Sequence, residues 1–155
     1  SEIYKARENV NSIAHAHPMY GKTFSTLGKV LDPISQDSCA FYERTAMFAD
    51  YDGVANGPDE GINIAKALGD KDFVILQNHG ILTTGTMIDT TIWYFLNMED
   101  ACKSQLLAEA VGKPIVIPHD TACATRDYVA NDLSAYVSFQ PTIDVLWEEE
   151  PDLLD

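Results

Sequence analysis

The sequence predicts a mixed α/β layer fold in which helices cover a sheet, and residues 1–155 read as a single domain. Two observations carry this expectation. Apolar runs of strand length, over residues 10–16, 73–77 and 81–84, alternate with segments of helical spacing. That alternation is the pattern of a layered α/β domain. A chain of 155 residues, 46% of them hydrophobic, can also bury a substantial core.

Taken in order, residues 2–7 read as the last turns of a helix, with Lys5 and Arg7 complementing its negative C-terminal end. Asn9 and Asn11 supply a turn into a short buried strand through Val10, Ile13 and Ala14, which Pro18 ends. Residues 19–27 are apolar at Tyr20, Phe24 and Leu27. This is helical spacing, with Pro18 at the natural first position and Gly28 as the stop. Val30, Leu31 and Ile34 predict a short strand broken by Pro33, and residues 35–42 a loop or short helix. Turn chemistry fills 50–59. Its acidic residues Asp50, Asp52, Asp59 and Glu60 lack EF-hand spacing and read as a solvated loop.

A helix over 59–68 stops at Gly69. The strands at 73–77 and 81–84 are so close that a hairpin or kink must carry His79 at its tip, with Gly80 as the turning residue. Thr86 to Asp89 resembles a capping box and opens a helix running to Val111 and ending at Gly112. Ile92, Phe95, Leu96, Met98, Cys102 and Leu106, widened by Trp93 and Tyr94, make this helix apolar over much of its circumference. It therefore needs a second surface besides the sheet, such as another subunit. Residues 113–118 form an extended link, 121–130 and 141–147 two further helices, and 148–155 an acidic, solvated tail.

The chemistry centres on histidine. His15 and His17 lie on one face of a strand, about 6–7 Å apart, close enough to converge on one ion. A His-x-His pair is more commonly a hydrogen-bonded couple without metal. Here, however, three of the four histidines sit at the ends of apolar strands, and His79 supplies a third ligand. Three neutral imidazoles leave a coordination position open, as a catalytic metal requires. His119, in a Pro-flanked connection, reads as an ordinary surface residue.

The net charge of −14 argues against nucleic acid and anionic membranes as partners. Three cysteines without a Cys-x-x-Cys pair fit a reducing cytoplasm better than a disulfide scaffold, and no apolar run is long enough to span a bilayer. The sequence holds no P-loop, Gly-x-Gly-x-x-Gly, Gly-x-Ser-x-Gly elbow or Cys-His pair suited to covalent catalysis.

Asn11-Ser-Ile-Ala-His-Ala-His-Pro18 and Ile75-Leu-Gln-Asn-His-Gly-Ile-Leu-Thr-Thr-Gly85, continuing through Gln105 to Pro114, resemble the class II aldolase/adducin family. The resemblance implies a three-layer α/β/α fold around a mainly antiparallel sheet, with a divalent metal on His15, His17 and His79. Zinc is the first expectation, and iron(II) or manganese(II) the alternatives, since imidazole suits each. It further implies a homotetramer with sites at subunit interfaces and a small-molecule substrate. In the family's sugar-phosphate aldolases the metal polarises a substrate carbonyl and stabilises an enediolate, while a glutamate moves the proton. That glutamate falls before Ser1, and Glu2 lies too close to the metal motif to replace it. The resemblance thus assigns no catalytic acid here, reads the chain as the C-terminal portion of such a domain, and expects a preceding segment to complete sheet and site.

By residue count, the tyrosine with which sugar-phosphate aldolases reach a neighbouring subunit's site falls at Gln36, the substrate-binding candidate. Glutamine there departs from that subgroup. Ile34-Ser-Gln-Asp37 and Glu149 to Asp155 are more similar to a bacterial branch related to non-haem iron oxygenases that decarboxylate aromatic 2-oxo acids. Three functions follow as expectations: a metal-dependent lyase on a hydroxy-carbonyl compound, an iron oxygenase or decarboxylase on the same scaffold, and a non-catalytic adducin-like assembly domain. Retention of all three histidines weighs against the third.

Overall fold

The computed structural model describes residues 2–50 and 58–154, so most of the acidic turn expected over 50–59 lies outside the described residues. In chain order the elements are α1 (Glu2–Ala6), β1 (Ser12–Ala16), α2 (Met19–Ser25), β2 (Thr45–Phe48), α3 (Pro58–Leu68), β3 (Phe73–Leu76), β4 (Gly80–Gly85), α4 (Ile88–Val111), α5 (His119–Val129) and α6 (Asp132–Glu149). Single 3-10 turns at Ser38–Phe41 and Pro151–Leu154 complete the set.

The four strands form one sheet in the order β1-β4-β3-β2. β4 pairs antiparallel with β1 and with β3, while β2 pairs parallel with β3. The sheet is mixed and mainly antiparallel, as the resemblance implies. Successive side chains of a strand face opposite ways, and here both faces are covered. Phe73, Ile75 and Ile81 pack with Phe24, Tyr94, Met98 and Cys102 from α2 and α4. On the other face, Val74, Leu76 and Leu82 pack with Ile3, Ala65 and Leu68 from α1 and α3. Continuous apolar runs in β3 and β4 follow from burial on both faces, and the result is a three-layer α/β/α arrangement.

Several expectations change in their physical detail. Arg7 does not serve its own helix: its guanidinium donates to the carbonyls of Gly69 (2.9 Å) and Lys71 (2.7 Å), just past the C-terminal end of α3. No strand forms at Val30 to Ile34. Leu31 is buried, but Asp32 N–H donates to Gln105 Oε1 of α4 (2.9 Å), and Gln105 Nε2 donates back to Asp32 Oδ2 (2.6 Å) and to Glu109 Oε1 (2.8 Å). A fully buried glutamine side chain thus satisfies the Asp32 backbone in place of a sheet neighbour. Thr86 does not cap α4, whose N-cap is Met87; its hydroxyl reaches Asp132 (2.7 Å). Instead Ser12, Thr90 and Thr91 all donate to the Met87 carbonyl. α5 begins two residues earlier than expected. The last helix starts at Asp132, where Asn131 accepts from Ser134 N–H (2.9 Å), and runs through Pro141. Among the described residues no helix is long and apolar enough to cross a membrane.

Candidate metal centre

β1 and β4 are neighbours with His15 opposite Leu82 and Ala16 opposite Ile81. That pairing brings the end of β1 to the start of β4, where the β3–β4 hairpin carries His79. The hairpin closes through Asn78, a non-glycine residue in the left-handed region (φ 57°), with His79 N–H donating to Leu76 O (3.0 Å). The sharp turn expected at Gly80 is made instead by Asn78, a residue that tolerates the left-handed region. Gly80 has a different task. A Cβ there would stand 2.5 Å from Ala16 O and 3.1 Å from His17 Cδ2, so only glycine lets the two histidine segments approach this closely.

The rings of His15, His17 and His79 lie with centroids 4.6–5.2 Å apart. One nitrogen from each can be chosen so that all three lie within 4.8 Å of one another. Around zinc at about 2.0–2.1 Å per imidazole, tetrahedral ligand nitrogens sit about 3.4 Å apart, so small side-chain rotations close the site. His15 is already oriented, because its Nδ1 lies 2.9 Å from the Ile81 carbonyl. A carbonyl only accepts, so Nδ1 carries the hydrogen and Nε2 is left bare for a ligand role. His79 is half-buried, and burial lowers its pKa below the ordinary imidazole value. The charges of His15 and His17 lower it further, while Glu60 in the first turn of α3 partly offsets them. Three imidazoles, one of them held toward its neutral form, fit a divalent cation.

Sequence reasoning missed a residue that fixes the start of α2 beside His17. Glu99 of α4 accepts from Tyr20 N–H (2.8 Å) and from Gly21 N–H, meeting the first turn of α2 directly after His17-Pro18. No local pattern announces it, since its partners lie 78 and 79 positions away. Gln36, by contrast, is exposed and lines a groove of about 550 Å³ with Asp120, Thr121, Thr125 and Tyr128 of α5; no histidine of the trio lines it. Glu2 forms an ion pair with Lys5 (2.7 Å). His119 stands apart from the trio, with Tyr42, Glu43 and Cys123 as neighbours.

The fold agrees with comparisons to known proteins. The chain is 37% identical over 153 residues to the decarboxylase NovR of Streptomyces niveus, covering 99% of this chain and 57% of that protein. It is 36% identical to a 4-hydroxy-3-prenylphenylpyruvate oxygenase/4-hydroxy-3-prenylbenzoate synthase of Streptomyces roseochromogenus subsp. oscitans, covering 99% and 55%. The chain therefore spans a little over half the length of these relatives. It superimposes on an L-fuculose 1-phosphate aldolase from Glaciozyma antarctica PI12 with a TM-score of 0.86 and 40% identity, over 97% of this chain and 57% of that one. Residues 1–106 match the model of the class II aldolase and adducin N-terminal domain, and the chain belongs to that family.

Proposed function

We propose that the protein is a divalent-metal-dependent lyase acting on a small hydroxy-carbonyl compound. The observation that carries this reading is the convergence of His15, His17 and His79 at the β1–β4 junction. A divalent cation bound there supplies Lewis-acid polarisation of a carbonyl oxygen, which acidifies or weakens the bonds one carbon away. The chain's own residues set the conditions. His15 keeps Nε2 forward because the Ile81 carbonyl holds its other nitrogen, and His79 resists protonation because it is partly desolvated. Exposed His15 and His17 leave the open side of the centre toward solvent, where a substrate can enter. Zinc is the favoured ion, since three imidazoles and an open position suit it.

A second reading is a non-haem iron oxygenase or decarboxylase of 2-oxo acids on the same scaffold. It is favoured by the two Streptomyces relatives at 37% and 36% identity across nearly the whole chain. The same imidazoles serve iron(II). An adducin-like assembly role without chemistry has less support, because it gives three converging histidines no purpose. The proposal includes a homotetramer in which Gln36 faces a neighbouring subunit's substrate, in keeping with its place away from this chain's own trio. It also places the protein in the cytoplasm, where its three unpaired cysteines would stay reduced.

Elemental analysis of untagged protein, purified anaerobically without added metal, tests the reading. About one zinc or manganese per chain that His79→Ala removes supports the lyase and directs assays to hydroxy-carbonyl compounds. About one iron shifts the assignment to the oxygenase, to be assayed with aromatic 2-oxo acids and oxygen. No metal, and none taken up on titration, overturns both.

A further inference from the structure

A second group of metal-ligating side chains lies on the other side of the sheet order, where the segment entering β2 meets α5. His119 and Cys123 are one helical turn apart on α5, so they share a face. Glu43, two residues before β2, turns its carboxylate to them. Cys123 Sγ lies 3.8 Å from either ring nitrogen of His119 and 3.7 Å from Glu43 Oε2, and His119 Nδ1 lies 3.8 Å from Glu43 Oε1. Sulfur, nitrogen and oxygen donors around one tetrahedral zinc sit about 3.4–3.6 Å apart, given bonds of about 2.3 Å to sulfur and 2.0–2.2 Å to the others. One donor atom from each residue can be chosen so that all three lie within 4.8 Å of one another, and side-chain rotations close the remaining distance.

We propose that Glu43, His119 and Cys123 form a second metal site, distinct from the histidine trio and suited to zinc(II) or a comparably soft divalent ion. Water takes the fourth position. On binding, the Cys123 thiol gives its proton to solvent and ligates as thiolate, while Glu43 and neutral His119 ligate unchanged. The surroundings fit the role. Tyr42 Oη sits 3.1 Å from His119 Nδ1; accepting a hydrogen bond there, it directs Nε2 toward sulfur, as an outer-shell partner does. Glu43 is held in the left-handed region (φ 58°), a costly conformation for glutamate, and Lys71 Nζ donates to its carbonyl (2.7 Å). Arg126 donates to Glu43 Oε2 (3.2 Å), but it also donates to Asp127 (2.8 Å), which can retain it when the carboxylate turns to a cation.

A nucleophilic thiol is the rival use of this cluster. Partial burial and the Glu43 carboxylate raise the Cys123 pKa against the pull of Arg126, which is the wrong direction for an activated nucleophile. A bound cation reverses that direction. The ligand set is asymmetric in a useful way: the trio contains no sulfur, whereas this site does. Cys39 and Cys102 are buried, and burial together with Glu99 pushes the Cys102 thiol up to about 12, so neither competes for metal at neutral pH.

The test is a cobalt(II) titration of the reduced, metal-free protein, read by the thiolate-to-cobalt charge-transfer band in the near ultraviolet. The expected result is a saturable band that added zinc displaces and that Cys123→Ser abolishes. His119→Ala keeps sulfur but should weaken the cobalt affinity read by that band by about tenfold or more. Both variants are compared with the parent by circular dichroism, and His119→Ala carries the test if Cys123→Ser fails to fold. Absence of the band in the parent protein overturns the site. So does an undiminished band in Cys123→Ser, or an unchanged affinity in folded His119→Ala.

Discussion

Gly80 and His79 show how much of the candidate metal centre depends on single atoms. Replacing Gly80 with alanine would put a methyl group 2.5 Å from Ala16 O, and backbone cannot yield there as a flexible side chain would. Gly80→Ala is expected to cost about 1–3 kcal/mol, read by urea denaturation. It should weaken metal binding by about ten- to a hundredfold, read by competition with a chelator. In a Cys123→Ser background, which removes the second proposed site, His79→Ala should abolish stoichiometric binding, and full occupancy in that variant would remove the residue from the site. The lowered His79 pKa also sets a sign for pH. Above the ordinary imidazole value of about 6.5 both folded and unfolded chains hold it neutral, and its contribution is constant. As pH falls below 6.5, the unfolded chain takes a proton that the folded one resists. The metal-free protein should therefore lose stability from this residue until the lower, folded value is passed. Denaturation midpoints between pH 7 and 5, compared with His79→Gln, isolate that contribution.

At the level of elements, helix α2 is held in place from outside. Its N-cap, Pro18, offers no side-chain acceptor, and Glu99 of α4 satisfies two of its first N–H groups instead. Glu99→Ala should destabilise the protein by about 1–2 kcal/mol and loosen the His17 end of the metal site, so that affinity falls with stability. Glu99→Gln, which keeps one acceptor oxygen, should recover part of each. This anchor also marks where sequence reading ends. β1, β3, β4 and helices α2 to α4 were legible because their apolar residues recur with strand or helix periods. The convergence of the three histidines was legible because they sit where those strands stop. β2 was not, since only Phe48 of its four residues is buried and its pairing depends on β3. The strand expected at Val30 to Ile34 failed for a related reason: its apolar pattern was real, but Gln105 supplies the polar partner a sheet would have given. His119 was read as ordinary surface because neither Glu43 nor Tyr42, some 76 positions away, could be placed beside it from sequence.

Across the whole molecule, the apolar surface exceeds what the three layers cover. Leu133, Val137 and Trp147 of α6 and Leu107 and Val111 of α4 remain exposed, and the second surface expected for α4 is supplied within the chain by α6. A net charge of −14 opposes contact between copies, most strongly at low ionic strength. If the proposed tetramer forms through these faces, sedimentation should show association strengthening as salt rises from about 0.01 M to 0.15 M. Weakening over that range would point to ion pairs instead of apolar contact.

The pairing of β1 with β4 has a consequence for how the molecule folds. His15 and His79 are 64 positions apart, and no part of the chain holds all three histidines together until those strands have met. Closing so long a loop is a late and entropically costly event in a folding chain. A cation that recognises only the finished junction cannot assist the search for it. Added metal should therefore leave the refolding rate nearly unchanged and slow unfolding in proportion to the stability it confers. Stopped-flow chevrons with and without zinc would show one arm displaced and the other superimposed.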